Sequence, residues 1–390
     1  MAPSSRHIHR KVSTTGVNPP LVCLLCGMKI PGAPYHGIAN SDKNTDLLKD
    51  SQWKDSWKPD PKHVMVPSHE VEEAYISNYP RLWSRICRAS KFSTKKSSRE
   101  TYPGILTSTV IKESDTKYRL TGINLMQQNP EDPCFAPNNP QMARIGGKKK
   151  ARYDYRTFTR FYPASIRKQP SQYKGKPIGY IVHAHCWVLF GRVEGLKLNK
   201  AKLAKLIQVC RKYWNNNSSW EIYDIQLQSV DPCKDLLWPK YGYDIYQSPL
   251  VVPAVQEAID SANIESLRGS SIECHRLPFH FKNLPLEVAI LITEYICPVN
   301  YTVDDIKNTR NMLSVFQWEL PDWFWRGRLT KQHLFMELDG LKETSSPVGW
   351  QLALDLMSLV SDLVRFSASG LANRERVLEI MFGLEKTFLG

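Results

Sequence analysis

One stretch of sequence decides the fold of the C-terminal part of the chain: Asn283-Leu-Pro-Leu-Glu-Val-Ala-Ile-Leu-Ile-Thr-Glu-Tyr-Ile296. Pro285 suits the first turn of a helix, where its missing N–H costs no hydrogen bond. Glu287 then lies beside the positive end of the helix dipole, and Pro298 cannot continue the helix. The pattern therefore predicts one helix between these two prolines.

Two further helices are predicted immediately after the first. One begins at about Asp304 and ends in an apolar group that includes Leu313 and Phe316. The other begins at Pro321 and contains the aromatic residues around Trp325. The segment is thus expected to hold three short helices.

This segment, residues 277–330, resembles the F-box of F-box-like proteins that are numerous in filamentous fungi. The resemblance rests on Leu284-Pro285-x-Glu287-Val288, Ile292, Leu313, Phe316 and Trp325. Those proteins similarly carry an early Cys-x-x-Cys-Gly and a middle His-x-x-Cys-Trp, and this chain has both. Here, however, the motif lies late in the chain, and no recognisable propeller or leucine-rich substrate reader follows it.

The resemblance implies a non-catalytic adaptor. F-box proteins bind the Skp adaptor of cullin–RING ubiquitin ligases through an apolar helical surface. The candidate partner contacts are accordingly Leu284, Pro285, Glu287, Val288, Ile292, Leu313, Phe316 and Trp325. The upstream part of the chain would hold an unknown target protein. The alternative interpretation is that the three helices are ordinary core helices.

Two cysteine-containing motifs predict a metal site. Cys23-Leu-Leu-Cys26-Gly27 has the spacing of a zinc knuckle, because two thiolates two residues apart can bind one ion while the glycine allows a tight turn. His183-Ala-His-Cys186 offers the two further ligands that a tetrahedral structural zinc needs. This ligand pair at the first turn of a helix would give a treble-clef-like arrangement.

Other ligand sets stay open from the sequence. The two motifs are more than 150 residues apart, whereas a compact zinc finger places its second ligand pair much sooner. His185, His36 or Cys134 could replace one of the ligands, and the cysteines could instead be buried thiols. One structural zinc is the expected cofactor.

A basic and aromatic stretch runs from Arg144 to Lys176. Its positive charge is most concentrated at Lys148, Lys149, Lys150 and Arg152. Such residues can bind nucleic-acid phosphates, but no recognition helix or sheet signature accompanies them. We favour a solvated loop or a nuclear-import signal here. The alternative function is a zinc-stabilised nucleic-acid-binding or general protein-interaction module.

The predicted fold class is an α+β N-terminal lobe followed by a mainly α-helical C-terminal lobe. Residues 1–19 are predicted to be a disordered tail. Residues 20–267 are predicted to form the α+β lobe, with a long basic insertion at about 90–176. The three-helix segment opens the second lobe, and residues 331–390 supply its remaining helices.

Within the first lobe, a helix is predicted from Ser68 through Tyr75 and, after a break at Pro80, on through Leu82, Trp83, Ile86 and Cys87. The insertion is expected to contain about two strands. The apolar run Gly179–Phe190 fits either a helix or a strand.

Composition favours a soluble protein of the cytoplasm or nucleus. The chain has 390 residues, 42% of them hydrophobic, and a net charge of +14, which favours acidic partners. It lacks an apolar run of about eighteen residues and an apolar signal segment at its start. Nine irregularly spaced cysteines fit thiols or metal ligands better than disulfides. No Walker loop, dinucleotide fingerprint, His-Glu-x-x-His or nucleophile elbow is present, so an enzyme is not expected.

Overall fold

The structure is a computed structural model, and it describes a defined set of the residues of the chain. These are residues 21–28, 30, 64–72, 83–84, 86–94, 116–125, 133–146, 156–166, 173, 176–192, 203–216, 247–268, 284–329, 332–339 and 348–389. The predicted tail at residues 1–19 lies outside them.

Eight strands form a mixed sheet that curves into a half-barrel. The strands are β1 (Val64–Pro67), β2 (Ile86–Thr94), β3 (Thr116–Leu120), β4 (Ile123–Leu125), β5 (Cys134–Pro137), β6 (Met142–Gly146), β7 (Phe158–Pro163) and β8 (Ile178–His183). Their order is β1-β6-β4-β2-β8-β7-β5, with β3 paired to β2. The pairs β4–β6 and β7–β8 are parallel, and the other strand pairs are antiparallel.

The range 90–176, which the sequence indicated as an insertion with about two strands, contributes β3, β4, β5, β6 and β7 to this sheet. These strands are three to six residues long. Strands this short give too few alternating positions for the period of two to be recognised. The insertion is therefore part of the sheet, and its backbone pairs with the strands that precede and follow it.

Ten helices accompany the sheet in the described part of the chain. They are α1 (Ser68–Glu72), α2 (Ala184–Arg192), α3 (Leu203–Asn216), α4 (Pro253–Arg268), α5 (Leu286–Ile296), α6 (Val303–Phe316), α7 (Asp322–Arg328), α8 (Trp350–Ser361), α9 (Leu363–Ala368) and α10 (Leu371–Leu389). A 3-10 turn lies at Gln332–Leu334. Helices α5, α6 and α7 occupy the segment with the F-box-like pattern, and its identity as an F-box stays a prediction.

The helix predicted from Ser68 is present as α1, and residues 73–82 lie outside the described part of the chain. Helix α1 ends at Glu72, and Ile86 and Cys87 begin strand β2 instead. Ile86 pairs with Leu125 of β4, so a long-range strand partner overrides the local helical pattern. The prediction of helix at Ile86 and Cys87 is therefore wrong.

The two predicted lobes share one buried core. It extends from Leu21, near the N-terminal cysteines, to Leu384 on α10. Helix α10 packs against α3 and α2. The buried Arg374 joins α10 to the segment before α4, because it donates hydrogen bonds to the carbonyl oxygens of Pro249 at 2.7 Å and Leu250 at 2.6 Å. It also forms a bidentate ion pair with Glu337 at 2.9 and 2.7 Å.

No helix among the described residues combines the length and the apolar composition that crossing a membrane requires.

Candidate functional site

Four predicted metal ligands meet in the core. The ligand atoms of Cys23, Cys26, His183 and Cys186 all lie within 4.8 Å of one another, and all four residues are buried. The chain thus brings together three sulfur atoms and one imidazole from two motifs that are far apart in sequence. This buried cluster is a candidate site for one metal ion.

The first motif forms a tight knuckle. The amide of Cys23 donates to the carbonyl of Met28, and the amide of Gly27 donates to the carbonyl of Cys23, both at 2.9 Å. Gly27 has φ of +68°, which favours glycine, and a Cβ at this position would lie 2.4 Å from the ring of Trp214. The indole of Trp214 also donates to the carbonyl of Leu24 at 2.8 Å. Helix α3 therefore packs against the knuckle through the buried ring of Trp214.

The second motif lies at the junction of β8 and α2. His183 is the last residue of the strand, whereas Cys186 is in the first turn of the helix. The sequence predicted both residues in a first helical turn, so only Cys186 fits that expectation. The strand also fixes the knuckle, since the amide of Leu24 donates to the carbonyl of Ile181 at 2.8 Å.

The imidazole of His183 presents Nδ1 to the sulfur atoms. This nitrogen is 3.4 Å from Sγ of Cys26 and 3.7 Å from Sγ of Cys186, while the backbone amide of His183 donates to Sγ of Cys23 at 3.4 Å. Its Nε2 is buried with no hydrogen-bond partner among the described residues. The edge-on indole of Trp83, with ring centroids 4.9 Å apart, helps to fix this orientation.

The alternative ligands do not join the cluster. Nδ1 of His185 lies 3.0 Å from Oγ of Ser248 instead, and its ring stacks on Trp83. Cys134 lies on β5 and is not among the clustered ligands, and His36 lies outside the described residues. Sequence reasoning missed the buried contact of His185 with Ser248, because nothing in the spacing of the two residues indicates it.

The electrostatics of the cluster favour a cation. Burial alone would raise the pKa of Cys23, but hydrogen bonds from Cys186 and Cys26 and the charge of His183 bring that pKa well below its usual value. Burial and the neighbouring Cys23 and Cys26 raise the pKa of Cys186 well above its usual value. Burial would lower the pKa of His183, yet the adjacent thiolates raise it to about 10. The cluster thus favours a thiolate at Cys23 beside a positively charged His183, whereas Cys186 favours the thiol.

The predicted partner contacts fall into three groups. Pro285, Glu287 and Val288 are exposed, whereas Leu284, Ile292 and Phe316 are partly buried. Leu313 and Trp325 are 0% and 1% exposed. These last two side chains belong to the core, so they position α6 and α7 and do not offer a surface to a partner.

Helix α5 exposes an apolar face that was only partly predicted. Val288, Leu291 and Tyr295 are 38%, 64% and 89% exposed, and their spacing of three and four residues places them on one side of the helix. Ala289 and Thr293, on the other side, are buried. We call Val288, Leu291 and Tyr295 the α5 apolar stripe. Its helical spacing was the available signal for Leu291 and Tyr295.

The predicted nucleic-acid or import residues Lys148, Lys149, Lys150 and Arg152 lie outside the described residues.

No family model, no curated protein and no solved structure matches this chain. Its functional interpretation therefore rests on the residues themselves.

Proposed function

We propose that this protein is a non-catalytic adaptor of the cytoplasm or nucleus that docks on the Skp adaptor of a cullin–RING ubiquitin ligase. The observation that carries the proposal is the α5 apolar stripe. The sheet-bearing part of the chain would hold the target protein, and linking target and ligase would raise their effective concentration. The ubiquitin-transfer reaction would be carried out by other subunits of the ligase.

The stripe has the character of a helical docking surface. A helix that is apolar on two sides is normally buried all round, yet α5 leaves one of these sides in solvent. Tyr295, at 89% exposure, presents a large aromatic ring that the described residues leave uncovered. Contiguous apolar surface of this kind is typical of protein-binding sites.

The neighbouring helices of the segment pack with the buried face of α5 in one core cluster. The hydroxyl of Thr293 donates to the carbonyl of Ala289 at 2.8 Å, so the inward face of α5 carries no unpaired hydroxyl. Leu313 on α6 and Trp325 on α7 pack in the same core cluster as Ala289. Pro285 and Glu287, which belong to the F-box-like pattern, stay exposed beside the stripe.

We further propose that the cluster of Cys23, Cys26, His183 and Cys186 holds one structural zinc. Tetrahedral zinc with bond lengths of about 2.3 Å to sulfur and 2.0–2.1 Å to nitrogen separates a nitrogen and a sulfur ligand by roughly 3.5 Å. The distances of 3.4 and 3.7 Å from Nδ1 of His183 to two sulfurs support this ion. Four protein ligands leave no open position for a catalytic water, so the zinc would stabilise the fold.

Co-purification with the cognate Skp adaptor tests the adaptor function. The test variant is Leu291→Ser with Tyr295→Ser, because both side chains are exposed and their loss should leave the fold intact. The matched control is Leu363→Ser with Val364→Ser, which removes two apolar side chains that are 76% and 68% exposed on α9. Circular dichroism is the check that both variants are folded.

We expect the wild type and the α9 variant to retain the Skp adaptor and the α5 variant to lose it. A tenfold change in affinity corresponds to about 1.4 kcal/mol of binding free energy. Removing two exposed apolar anchors should cost at least this much, so we expect at least a tenfold loss of affinity. Absence of binding by the folded wild type, or equal retention by both variants, would overturn the proposal.

A further inference from the structure

A charged and aromatic surface lies at β7 and is made by Arg160, Tyr162 and Lys176. Arg160 and Tyr162 are two residues apart on this strand and therefore share a face. The guanidinium of Arg160 lies 5.6 Å from the ring centroid of Tyr162 and donates to its hydroxyl at 3.0 Å. Nζ of Lys176 lies 4.7 Å from the same ring centroid. Two cations thus converge on one tyrosine.

The backbone holds this arrangement in place. The amide of Tyr162 donates to the carbonyl of Pro177 at 2.7 Å, which fixes the residue next to Lys176 beside β7. The amide of Lys176 itself donates to the carbonyl of Tyr173 at 3.0 Å. Arg160 and Lys176 are exposed and Tyr162 is partly buried, so both cations can reach a ligand from solvent.

The charge of this surface is uncompensated within the described residues. Neither Arg160 nor Lys176 forms an ion pair with a described carboxylate. The sequence from 144 to 192 contains twelve lysines and arginines but one acidic residue, Asp154. Because like charges repel, holding two cations over one ring is unfavourable unless an anion joins them. Weak cation–π attraction to Tyr162 offsets part of that cost.

We propose that Arg160, Tyr162 and Lys176 form a site for the phosphate backbone of nucleic acid. The site lies at the exposed side chains of Arg160 and Lys176, and Arg156, in the turn before β7, is a further exposed cation. Exposed cations that follow one another along the chain in this way suit an extended polyanion better than a compact ligand. Contacts of lysine and arginine to phosphate bind without regard to base sequence.

Fluorescence anisotropy with a labelled oligo-deoxythymidine of about 20 nucleotides tests the site. Affinity is measured between about 50 and 200 mM salt for the wild type, for Arg160→Gln with Lys176→Gln, and for a charge-matched control. The control, Lys307→Gln with Arg365→Gln, removes two exposed cations from α6 and α9. Thermal unfolding is the check that all three proteins are folded.

Each lost phosphate contact should reduce the slope of log K against log salt by about 0.7 for a single strand. We therefore expect the β7 variant to lose about 1.4 from the slope, with affinity at about 100 mM salt lower by tenfold or more. The control should stay close to the wild type. Tyr162→Phe, which loses the hydroxyl that orients Arg160, should fall between the two.

Three results would overturn the site. The wild type could fail to bind the oligonucleotide, the control could lose as much affinity as the β7 variant, or poly-glutamate could bind as tightly as the oligonucleotide. The last result would assign the surface to acidic protein segments instead. The α5 variant with Leu291→Ser and Tyr295→Ser should bind the oligonucleotide normally, so this test is independent of the adaptor function.

Discussion

The guanidinium of Arg376 on α10 donates a hydrogen bond to the carbonyl oxygen of Cys26 at 3.0 Å, across 350 positions of sequence. Arg376 also donates to Oδ1 of Asn373, whose amide donates to the carbonyl of Gln247 at 2.8 Å. Helix α10 therefore touches the backbone of the knuckle that carries two of the candidate metal ligands. The cluster lies at the point where the sheet and the C-terminal helices meet.

Replacing Arg376 should loosen the metal cluster without removing a ligand. Arg376→Leu leaves the Cys26 carbonyl without this donor, at a cost of about 1–3 kcal/mol in the free energy of unfolding. We expect faster release of zinc to a colorimetric chelator and a lower Tm. Arg365→Leu, at an exposed position on α9, is the control. Equal release rates for both variants would contradict this role of Arg376.

Purified protein should contain about one zinc per chain by elemental analysis. Cys23→Ser or Cys186→Ser should abolish the bound zinc and lower the Tm, because the closed site loses a thiolate that stabilises both ion and fold. Cys297→Ser is the matched control, since Cys297 is also a buried thiol but is not in the cluster. Zinc retained in the Cys186 variant would show that another residue ligates the ion.

Gly27→Ala should destabilise the knuckle strongly. Alanine is strained at φ of +68°, and its Cβ would clash with the ring of Trp214. We expect a loss of about 1–3 kcal/mol in the free energy of unfolding, measured by urea denaturation. Gly191→Ala on α2 is the control, because a Cβ there meets nothing within 4 Å. Gly191 is the second-to-last residue of α2, so its replacement should change the free energy of unfolding by less than the roughly 0.5–1 kcal/mol that a glycine costs in the middle of a helix.

The start of α6 should make stability depend on pH in the acid range. Hydrogen bonds from the amide and hydroxyl of Thr302 lower the pKa of Asp305 in the folded state. A lowered folded pKa contributes stability above the unfolded pKa of about 4, and this stability is lost as the pH falls. Asp305→Ala should thus lower the Tm at pH 7 and differ less from the wild type near pH 3.

The control for this pH dependence is Asp304→Ala, which removes a carboxylate from the same helical turn without breaking the capping box. Its effect on the Tm should be smaller at pH 7. A constant difference between Asp305→Ala and the wild type from pH 7 to pH 3 would rule out the capping carboxylate as its source.

Local chemistry predicted the cluster better than it predicted the sheet. The spacing of Cys23 and Cys26, and of His183 and Cys186, depends on turns of a few residues, so the sequence could indicate these ligands. It could not choose His183 over His185, because that choice depends on Ser248 and Trp83, which are distant in the chain.

The sheet was harder to predict because its strands are short and depend on partners far along the chain. Ile86 and Cys87 have a local pattern that fits a helix, yet their pairing with β4 and β8 makes them a strand. The burial of Leu313 and Trp325 was likewise hidden, since an apolar residue on a helix can face either the core or a partner. The exposure of Leu291 and Tyr295 on α5 and of Arg160 on β7 became clear only after the core had been located.

The hydrogen bond between Arg376 and the carbonyl of Cys26 can form only late in synthesis, because Arg376 follows Cys26 by 350 positions. The ribosome releases the two cysteines of the knuckle long before His183, which follows Cys26 by 157 positions, and before helix α10, which follows much later. The nascent chain must therefore carry exposed thiols until β8 emerges, and it cannot close the knuckle against α10 until that helix has left the ribosome exit tunnel. We expect premature termination before α10 to yield chains whose cysteines are open to oxidation.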